Sequence, residues 1–158
     1  MIQQAIVQIL SPICEPYFSD KSYGFRPNRS CEQAVIQLLE YLNDGYEWIV
    51  DIDLEKFFQD RLMSLVHNII QDGDTESLIR KYLHLGMVIN GQRHKTLVGT
   101  SQGGNLSPLL SHIMLNELDK ELENQGLRFV RYADDCNITV GSDAAKRVMH
   151  SISRYIEK

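Results

Sequence analysis

The chain is poor in the features that mark secreted proteins, zinc knuckles and membrane proteins. It has three cysteines, Cys14, Cys31 and Cys136, and no C-x-x-C pair. That shortage argues against a disulfide framework or a zinc knuckle and favours reduced thiols. No apolar run reaches the roughly 18 to 20 residues that cross a bilayer, and the N-terminus lacks the basic-then-apolar pattern of a signal peptide. We therefore expect a soluble, cytoplasmic protein with no membrane partner.

Basic residues are also scarce. The 16 Lys and Arg are outnumbered by 21 Asp and Glu, which leaves a formal net charge of -5. Proteins that bind nucleic acid normally gain affinity from cations that neutralise phosphates, so this balance argues against a freestanding nucleic-acid binder. The 4 prolines and 10 glycines are scattered, and no repeat or low-complexity stretch marks a linker. A length of 158 residues with 43% hydrophobic content is typical of one globular domain.

The spacing of apolar residues predicts a mixture of helices and short strands. Helices are predicted over residues 2–17, 31–42, 60–71, 75–85, 109–123 and 144–156. A strand is predicted over 48–53, and a hairpin over 87–98 turns at Asn90-Gly91. A second hairpin is predicted from strands 127–132 and 136–140, with Ala133, Asp134 and Asp135 as its turn. Antiparallel hairpins among helices indicate the α+β class.

Residues with helix-capping chemistry stand at or just before the start of three of the predicted helices. Ser30 precedes the second helix, and Asp60 is a plausible cap for the third. Ser107 is followed by Pro108, a cap followed by a first-turn proline. Residues 19–29, between the first two helices, are rich in turn formers and predict a loop.

Three carboxylates lie where predicted strands end. Asp134 and Asp135 lie in the turn of the second hairpin, and Asp53 ends the strand 48–53. Acids in such a turn are commonly solvated turn formers, but two strands of one sheet can bring Asp53 and Asp134 together. Clustered carboxylates raise each other's pKa unless a cation joins them, and Mg²⁺ prefers oxygen ligands. Two Mg²⁺ ions roughly 3.5 to 4 Å apart support in-line displacement, the chemistry of nucleotidyl transfer.

A glycine-rich segment over residues 99–108 leads into the fifth predicted helix. Unpaired amides and the helix dipole at such an N-terminus can face a nucleotide or a template backbone. Gln102 adds a side-chain amide that can contact the incoming nucleotide or its base-pair partner. The structural alternative is an ordinary loop and cap.

Four ordered blocks resemble the reverse transcriptases of bacterial group II introns, also called intron maturases. They are SYGFRPNRS at 22–30, WIVDIDLEKFF at 48–58, GTSQGGNLSP at 99–108 running into LNELD at 115–119, and RYADD at 131–135. The resemblance implies a reverse-transcriptase palm, an antiparallel sheet packed on helices, with partial fingers. It implies one partial domain over 1–158, in which residues 1–47 form finger and upper-palm helices. Residues 48–158 then form the palm, with a finger-like insertion at 72–98.

The resemblance also implies roles for the three carboxylates. In this family an aromatic residue follows the first metal-binding aspartate by five positions, which selects Asp53, with Phe58, rather than Asp51. Asp134 matches the second metal ligand and Asp135 its neighbour at the site. Asp51 is then expected to be solvated or paired with a basic residue. The implied cofactor is a pair of Mg²⁺ ions, with Mn²⁺ as a substitute.

Two further groups of residues match family positions. Phe58 matches the steric gate that admits a deoxynucleotide and collides with a 2′-hydroxyl. The expected nucleotide-binding residues are Leu54, Phe58, Gln102 and Gly103. The expected template-binding residues are Tyr23, Phe25, Arg26 and Arg29, for which a packed, capped loop is the alternative. Asn116 is expected to make a structural hydrogen bond from its helix, and Phe57 to lie in the core.

The implied function is RNA-directed DNA polymerisation. The substrates are a DNA primer, deoxynucleoside triphosphates and an RNA template, which for this family is group II intron RNA. The sequence departs from the family pattern in three places: a shortened stretch after Phe58, Ser101 where proline is usual, and His112 at an asparagine-like position. The basic finger strands and the thumb are expected to lie outside this chain. We therefore expect no activity from the chain alone, and completion by those segments or by a second protein chain.

Two other functions stay open. One is a noncatalytic RNA-binding or maturase remnant that assists the folding or splicing of intron RNA. Three acids that would repel one another argue against it, because a remnant without catalysis has little reason to retain them. The other is a different palm enzyme such as a nucleotide cyclase, for which the aromatic gate at Phe58 and the Gln102 loop have no obvious use.

Overall fold

The computed structural model describes residues 2–53, 59–84, 87–89, 92–94 and 104–156, with the backbone alone at residues 53, 59, 87–89 and 92–94. Within these residues the helices are α1 (Ile2–Cys14), α2 (Cys31–Asn43), α3 (Gln59–Ile70), α4 (Gly73–Leu83), α5 (Ser107–Asn124) and α6 (Ala145–Ile156). The strands are β1 (Trp48–Asp53), β2 (Met87–Ile89), β3 (Gln92–His94), β4 (Arg128–Tyr132) and β5 (Asp135–Val140). The predicted α+β class is confirmed.

The chain divides into two compact units. The first consists of Met1–Phe18 and Glu55–Glu117, and the second of Ser19–Leu54 and Leu118–Lys158. Helix α5 contributes residues 107–117 to the first unit and residues 118–124 to the second. The predicted division at residue 48 between finger and palm segments stays a prediction.

The first unit is built around an apolar core from α1, α3, α4 and the start of α5. Its fully buried side chains include Cys14, Val66, Ile79 and Leu110. Helix α1 continues through Pro12 and ends in a 3₁₀ turn at Glu15–Tyr17. Asn116 of α5 donates a hydrogen bond from Nδ2 to the carbonyl oxygen of Tyr17, at 2.8 Å, which confirms its predicted structural role.

The second unit is organised by a three-stranded antiparallel sheet in the order β1-β5-β4. Because side chains alternate along a strand, the sheet has two chemically different faces. We call one the core face: it carries Val50, Ile52, Phe129, Arg131, Cys136 and Ile138. Its apolar residues pack with Leu118 and Leu122 of α5 and with Val148 and Ile152 of α6.

Within the part of the chain that the structure describes, the opposite face of the sheet is only partly covered. We call it the carboxylate face: it carries Ile49, Asp51, Arg128, Val130, Tyr132, Asp135 and Asn137. Helix α2 covers its β4 side, where Ala34 packs with Val130 and Tyr23 in a small cluster. Asp51 and Asp135 are exposed. The same strands therefore present an apolar surface on one side and acids on the other.

Of the three predicted N-terminal caps, Ser30 is confirmed, and Asp60 and Ser107 are not caps. Ser30 caps α2 in a reciprocal box with Gln33, whose side-chain Oε1 accepts from the Ser30 backbone N–H at 3.0 Å. Asp60 is not a cap, because α3 already begins at Gln59. Both a cap and a first-turn position favour aspartate, so residue type alone does not separate them. Ser107 is likewise inside α5, with Pro108 in its first turn as predicted.

Two other boundaries also differ from the predictions. Helix α4 begins at Gly73, two residues before the predicted start, and its N-cap is Asp72, which accepts from the Thr75 backbone N–H at 2.9 Å. Strands β2 and β3 pair antiparallel on either side of positions 90 and 91, in agreement with the predicted hairpin. The Asn90-Gly91 turn itself and residues 95–98 lie outside the described residues. No described helix has both the length and the apolar composition needed to cross a membrane.

Candidate active site

The β4–β5 turn carries two of the three predicted catalytic carboxylates. Asp135 pairs with Tyr132 and is the first residue of β5, so the turn consists of Ala133 and Asp134 alone. The prediction that Asp135 belongs to the turn was wrong, because an exposed polar residue at a strand end is hard to separate by type from a turn residue. Asp134 and Asp135 are both exposed, one in the turn and one on a paired strand.

The strand register brings the third predicted position to the same end of the sheet. Strand β1 pairs with β5 so that the backbone of Asp53 lies directly opposite that of Asp135. Residues in such cross-strand pairs have Cβ atoms about 4.5 to 5.5 Å apart. Asp51 lies opposite Asn137, one pair further from the turn, and is exposed as expected for a solvated acid. The register is the one that the predicted site requires, and the site itself stays a prediction.

The donor set at this end of the sheet suits a hard divalent cation. Carboxylate oxygens are the ligands that Mg²⁺ prefers. Among the described side chains, no group of three or more His, Cys, Asp or Glu is placed to hold a metal ion. The side chain of Asp53 is outside that set, so Asp134 and Asp135 are the described part of the predicted ligand group. The predicted metal site therefore rests on their exposure and on the backbone register of Asp53.

A buried ion pair supports the turn from the core face. Arg131 of β4 and Asp119 of α5 have no exposed side-chain surface. The Arg131 guanidinium donates from Nε to Asp119 Oδ1 at 2.7 Å and from Nη2 to Oδ2 at 2.6 Å. Its Nη1 donates to the carbonyl oxygen of Ala133 at 2.7 Å. Burial raises the pKa of Asp119, and the hydrogen bonds and charge of Arg131 oppose that rise.

Sequence reasoning assigned no role to Arg131 or Asp119, although both lie in the quoted blocks. The available signal was the alternation of β4, which puts Arg131 on the same face as Phe129 and so among apolar residues. Arginine is almost never fully buried unless it is paired, so an acid partner was to be expected on the helix covering that face. Asp119 is that partner.

The predicted loop 19–29 is joined to the outer edge of β4. The Arg131 backbone N–H donates to the carbonyl oxygen of Lys21 at 2.9 Å, and the Tyr23 N–H donates to the carbonyl oxygen of Arg131 at 2.8 Å. Ser22 forms a parallel bridge with Arg131. The next residue, Gly24, lies against the turn: a Cβ there would be 3.1 Å from Ala133 Cα and closer still to Ala133 N.

The four predicted template-binding residues have different surroundings. Tyr23 is buried, and so is Arg26, whose Nη1 donates to the carbonyl oxygens of Ser19 and Ser22. Arg29 forms an ion pair with Asp20, 2.7 Å between Nη2 and Oδ1, and its guanidinium lies 5.4 Å from the centre of the Tyr23 ring. Phe25 is 69% exposed. Tyr23 and Arg26 thus fit the packed-loop alternative, whereas most of the Phe25 surface is exposed.

The predicted nucleotide-binding residues Leu54, Phe58, Gln102 and Gly103 lie outside the described residues, as do Phe57 and Ser101. Gly104 is described and lies against Tyr82, whose hydroxyl contacts Ser107 Oγ at 3.1 Å. His112, the third departure, is buried with its ring centre 5.5 Å from that of Phe18. At position 112 the chain therefore has a core residue.

Comparison with known proteins extends over the whole chain. Residues 1–158 match the family described as "Reverse transcriptase (RNA-dependent DNA polymerase)". The group II intron-encoded protein LtrA of Lactococcus lactis subsp. cremoris is 42% identical over 135 residues, which cover 83% of this chain and 22% of LtrA. Protein YkfC of Escherichia coli (strain K12) is 36% identical over 135 residues, which cover 80% of this chain and 35% of YkfC.

A solved structure, a partial Cas6-RT-Cas1–Cas2 complex, is also similar. It has 25% sequence identity and a TM-score of 0.42, covering 84% of this chain and 25% of that chain. The chain spans 22% of LtrA and 35% of YkfC. The likeness to these relatives is therefore to one part of their length.

Proposed function

The chain belongs to the reverse transcriptase family, and from that premise we propose that it forms the palm, with part of the fingers, of a group II intron-encoded RNA-directed DNA polymerase. The observation that carries this proposal is the register of β1 and β5. It places Asp53 opposite Asp135, next to the two-residue turn that holds Asp134. Two strands that are far apart in sequence thereby bring the backbones of positions 53 and 135 to the end of the sheet where this turn lies.

We assign the metal-binding role to Asp53, Asp134 and Asp135. Their carboxylates would hold two Mg²⁺ ions, or Mn²⁺ in substitution. Bound there, the ions would activate the attacking hydroxyl of the primer and stabilise the leaving pyrophosphate. The chain itself would supply the oxygen ligands: positions 53 and 135 lie on paired strands, and Asp134 lies in the turn beside them.

The substrates in this proposal are a DNA primer, a deoxynucleoside triphosphate and the RNA of a group II intron as template. Leu54, Phe58, Gln102 and Gly103 would contact the nucleotide, with Phe58 excluding a 2′-hydroxyl. Of the four template residues, Phe25 would contact RNA directly, because this residue is 69% exposed. Tyr23, Arg26 and Arg29 would hold the loop that presents it.

Metal binding by the 158-residue chain tests this proposal without requiring polymerisation. Mn²⁺ is titrated while the nuclear magnetic resonance signals of the backbone amides are followed, because a paramagnetic ion broadens nearby signals. We expect selective broadening at Asp134 and Asp135, and a loss of Mn²⁺ affinity of at least tenfold in Asp53→Asn and in Asp134→Asn. Asp51→Asn is the matched control, since Asp51 lies on the same strand and face. Equal losses in Asp51→Asn and Asp53→Asn, or no broadening at the turn, would contradict the assignment.

Noncatalytic binding of intron RNA is a second function, favoured by the exposed Phe25 ring on a loop fastened to β4. It requires the loop and not the carboxylates. RNA binding measured by fluorescence anisotropy over a range of salt concentrations separates the two functions. Binding that Phe25→Ala abolishes, in a chain that shows no Mn²⁺ broadening at the turn, supports the noncatalytic function.

A further inference from the structure

One arginine connects a helix on the core face to the turn that carries Asp134. The Arg131 guanidinium has five N–H donors in a rigid plane. Two of its nitrogens bind both oxygens of Asp119, and the third, Nη1, binds the carbonyl oxygen of Ala133, the residue directly before Asp134. Because the side chains of Arg131 and Asp119 are fully buried, water does not compete for the two hydrogen bonds between them, whereas the hydrogen bond to Ala133 is partly buried. The position of the Ala133 carbonyl is thus tied to α5.

Ala133 needs such support because of its backbone conformation. Its φ angle is 58°, in the left-handed region that a residue with a Cβ rarely adopts. Non-glycine residues stay in this region when their surroundings hold them there. The Ala133–Asp134 turn would otherwise have other conformations available, and each would point the Asp134 carboxylate in a different direction.

A second contact restrains the same residue. Gly24 approaches Ala133 so closely that a Cβ at position 24 would collide with Ala133 N and lie 3.2 Å from Tyr132 C. The segment before it is held in place by the two backbone hydrogen bonds between Arg131 and residues 21 and 23. Gly24 therefore packs backbone against backbone on Ala133, while the Arg131 side chain holds the carbonyl of Ala133.

We propose that Arg131, Asp119 and Gly24 are positioning residues that fix the Ala133–Asp134 turn and thereby orient the Asp134 carboxylate for its metal ion. This inference rests on the proposed function and extends it to residues that touch neither metal nor substrate. Lysine is no substitute for Arg131 in this arrangement, because its single ammonium cannot reproduce the planar fork that binds the carboxylate and the carbonyl together.

The central test is the double variant Arg131→Met/Asp119→Leu. Replacing a buried ion pair by apolar residues of similar volume often leaves stability unchanged. We expect its urea unfolding midpoint to stay close to that of the wild-type chain while its Mn²⁺ affinity at the turn falls at least tenfold. Arg131→Lys, which keeps the charge, should also lose affinity. Wild-type Mn²⁺ affinity in a folded variant that lacks the Arg131 side chain would overturn the proposal.

The matched control is Arg128→Met/Asp44→Leu. Arg128 lies on the same strand and pairs with Asp44 at 2.7 Å, but the pair is exposed and on the opposite face. Its Mn²⁺ affinity should stay within twofold of wild type. Should the buried double variant fail to fold, Gly24→Ala tests the second contact, and an unchanged affinity there would equally contradict the proposal.

A separate readout distinguishes this inference from the metal assignment. Backbone ¹⁵N relaxation reports the mobility of residues 133 and 134 without any metal. Increased mobility of both amides in the buried double variant, and none in the Arg128 control, supports the positioning role even if the wild-type chain binds no Mn²⁺. Unchanged mobility contradicts the positioning role while leaving the metal-binding carboxylates in place.

Discussion

The core face of the sheet buries Phe129, Cys136 and Ile138 completely, whereas the carboxylate face leaves Asp51 and Asp135 exposed on the same strands. The difference arises from the alternation of side chains along each strand, which separates two tasks over the thickness of one sheet. Apolar burial beneath α5 and α6 stabilises the unit, and the opposite side is available for chemistry. Arg131 is the charged residue of the core face, and its Nη1 donates a hydrogen bond to the Ala133 carbonyl oxygen in the β4–β5 turn.

Removing an arginine from each face gives the largest expected contrast. Arg131→Ala leaves the Asp119 carboxylate buried without its cation, so it should lower the free energy of unfolding by about 3 to 5 kcal/mol. Arg128→Ala removes an exposed pair with Asp44 and should cost about 1 kcal/mol or less. Urea denaturation followed by circular dichroism measures both. Similar losses of unfolding free energy for the two variants would show that the Arg131 ion pair is no more important for stability than the exposed Arg128 pair.

The same conservative change on opposite faces gives a smaller contrast. Ile138→Val removes one methylene from a fully buried side chain and should cost about 0.5 to 1.5 kcal/mol. Ile49→Val makes the identical change on the carboxylate face, where Ile49 is 44% exposed, and should cost less than about 0.5 kcal/mol. Thermal and urea unfolding of the pair should agree in this order. A larger loss of unfolding free energy for Ile49→Val than for Ile138→Val would mean that side chains pack more tightly on the carboxylate face than on the core face.

Neutralising an acid on the exposed side should separate stability from metal binding. Asp134→Asn changes an exposed turn residue, so the free energy of unfolding should stay within about 0.5 kcal/mol of wild type. Metal binding at the turn should be lost in the same variant. A strongly destabilised Asp134→Asn chain would mean that this carboxylate stabilises the fold, which would contradict its assignment as a metal ligand alone.

Thiol reactivity should distinguish the interior of the chain from its surface without any substitution. Burial raises the pKa of Cys136 to about 12 and that of Cys14 to about 11, so both thiols stay neutral well above pH 8. Cys31 is exposed. The thiolate is the reacting form of a cysteine. A thiol reagent at pH 8 should therefore label Cys31 rapidly in the native chain, and Cys14 and Cys136 only in urea. Rapid labelling of three in the native chain would indicate an open core.

Local patterns sufficed for the strands and for one cap. Alternation located β1, and the Ser30 box is a contact between residues three positions apart, so both are readable from neighbours in sequence. Asp53 and Asp134 were expected to come together because both lie where predicted strands end. The observed register pairs the backbones of Asp53 and Asp135, next to Asp134, and the meeting of the carboxylates stays a prediction. In these cases the determining interaction is short-range or follows strand periodicity.

The supports of the turn could not be predicted in the same way. The Arg131–Asp119 pair depends on which helix covers which face, and Arg26 became a loop-packing residue because backbone carbonyls of Ser19 and Ser22 surround it. Gly24 matters through a tertiary approach to Ala133. The sequence shows the same arginine whether its side chain binds RNA or hydrogen-bonds within its own loop. Only the tertiary packing distinguishes the two roles.

The attachment of residues 21–23 to β4 also bears on self-association. An uncovered edge strand offers unpaired backbone groups to another chain and favours aggregation. The segment occupies backbone groups of Arg131 on the outer side of β4, whereas β1, the strand at the other end of the sheet, has no second neighbouring strand among the described residues. Strand β1 begins with Trp48 and Ile49, which are 55% and 44% exposed. A β-strand of another chain would therefore pair with this sheet at β1. The substitution Ile49→Lys should accordingly reduce aggregation in concentrated solutions of the chain.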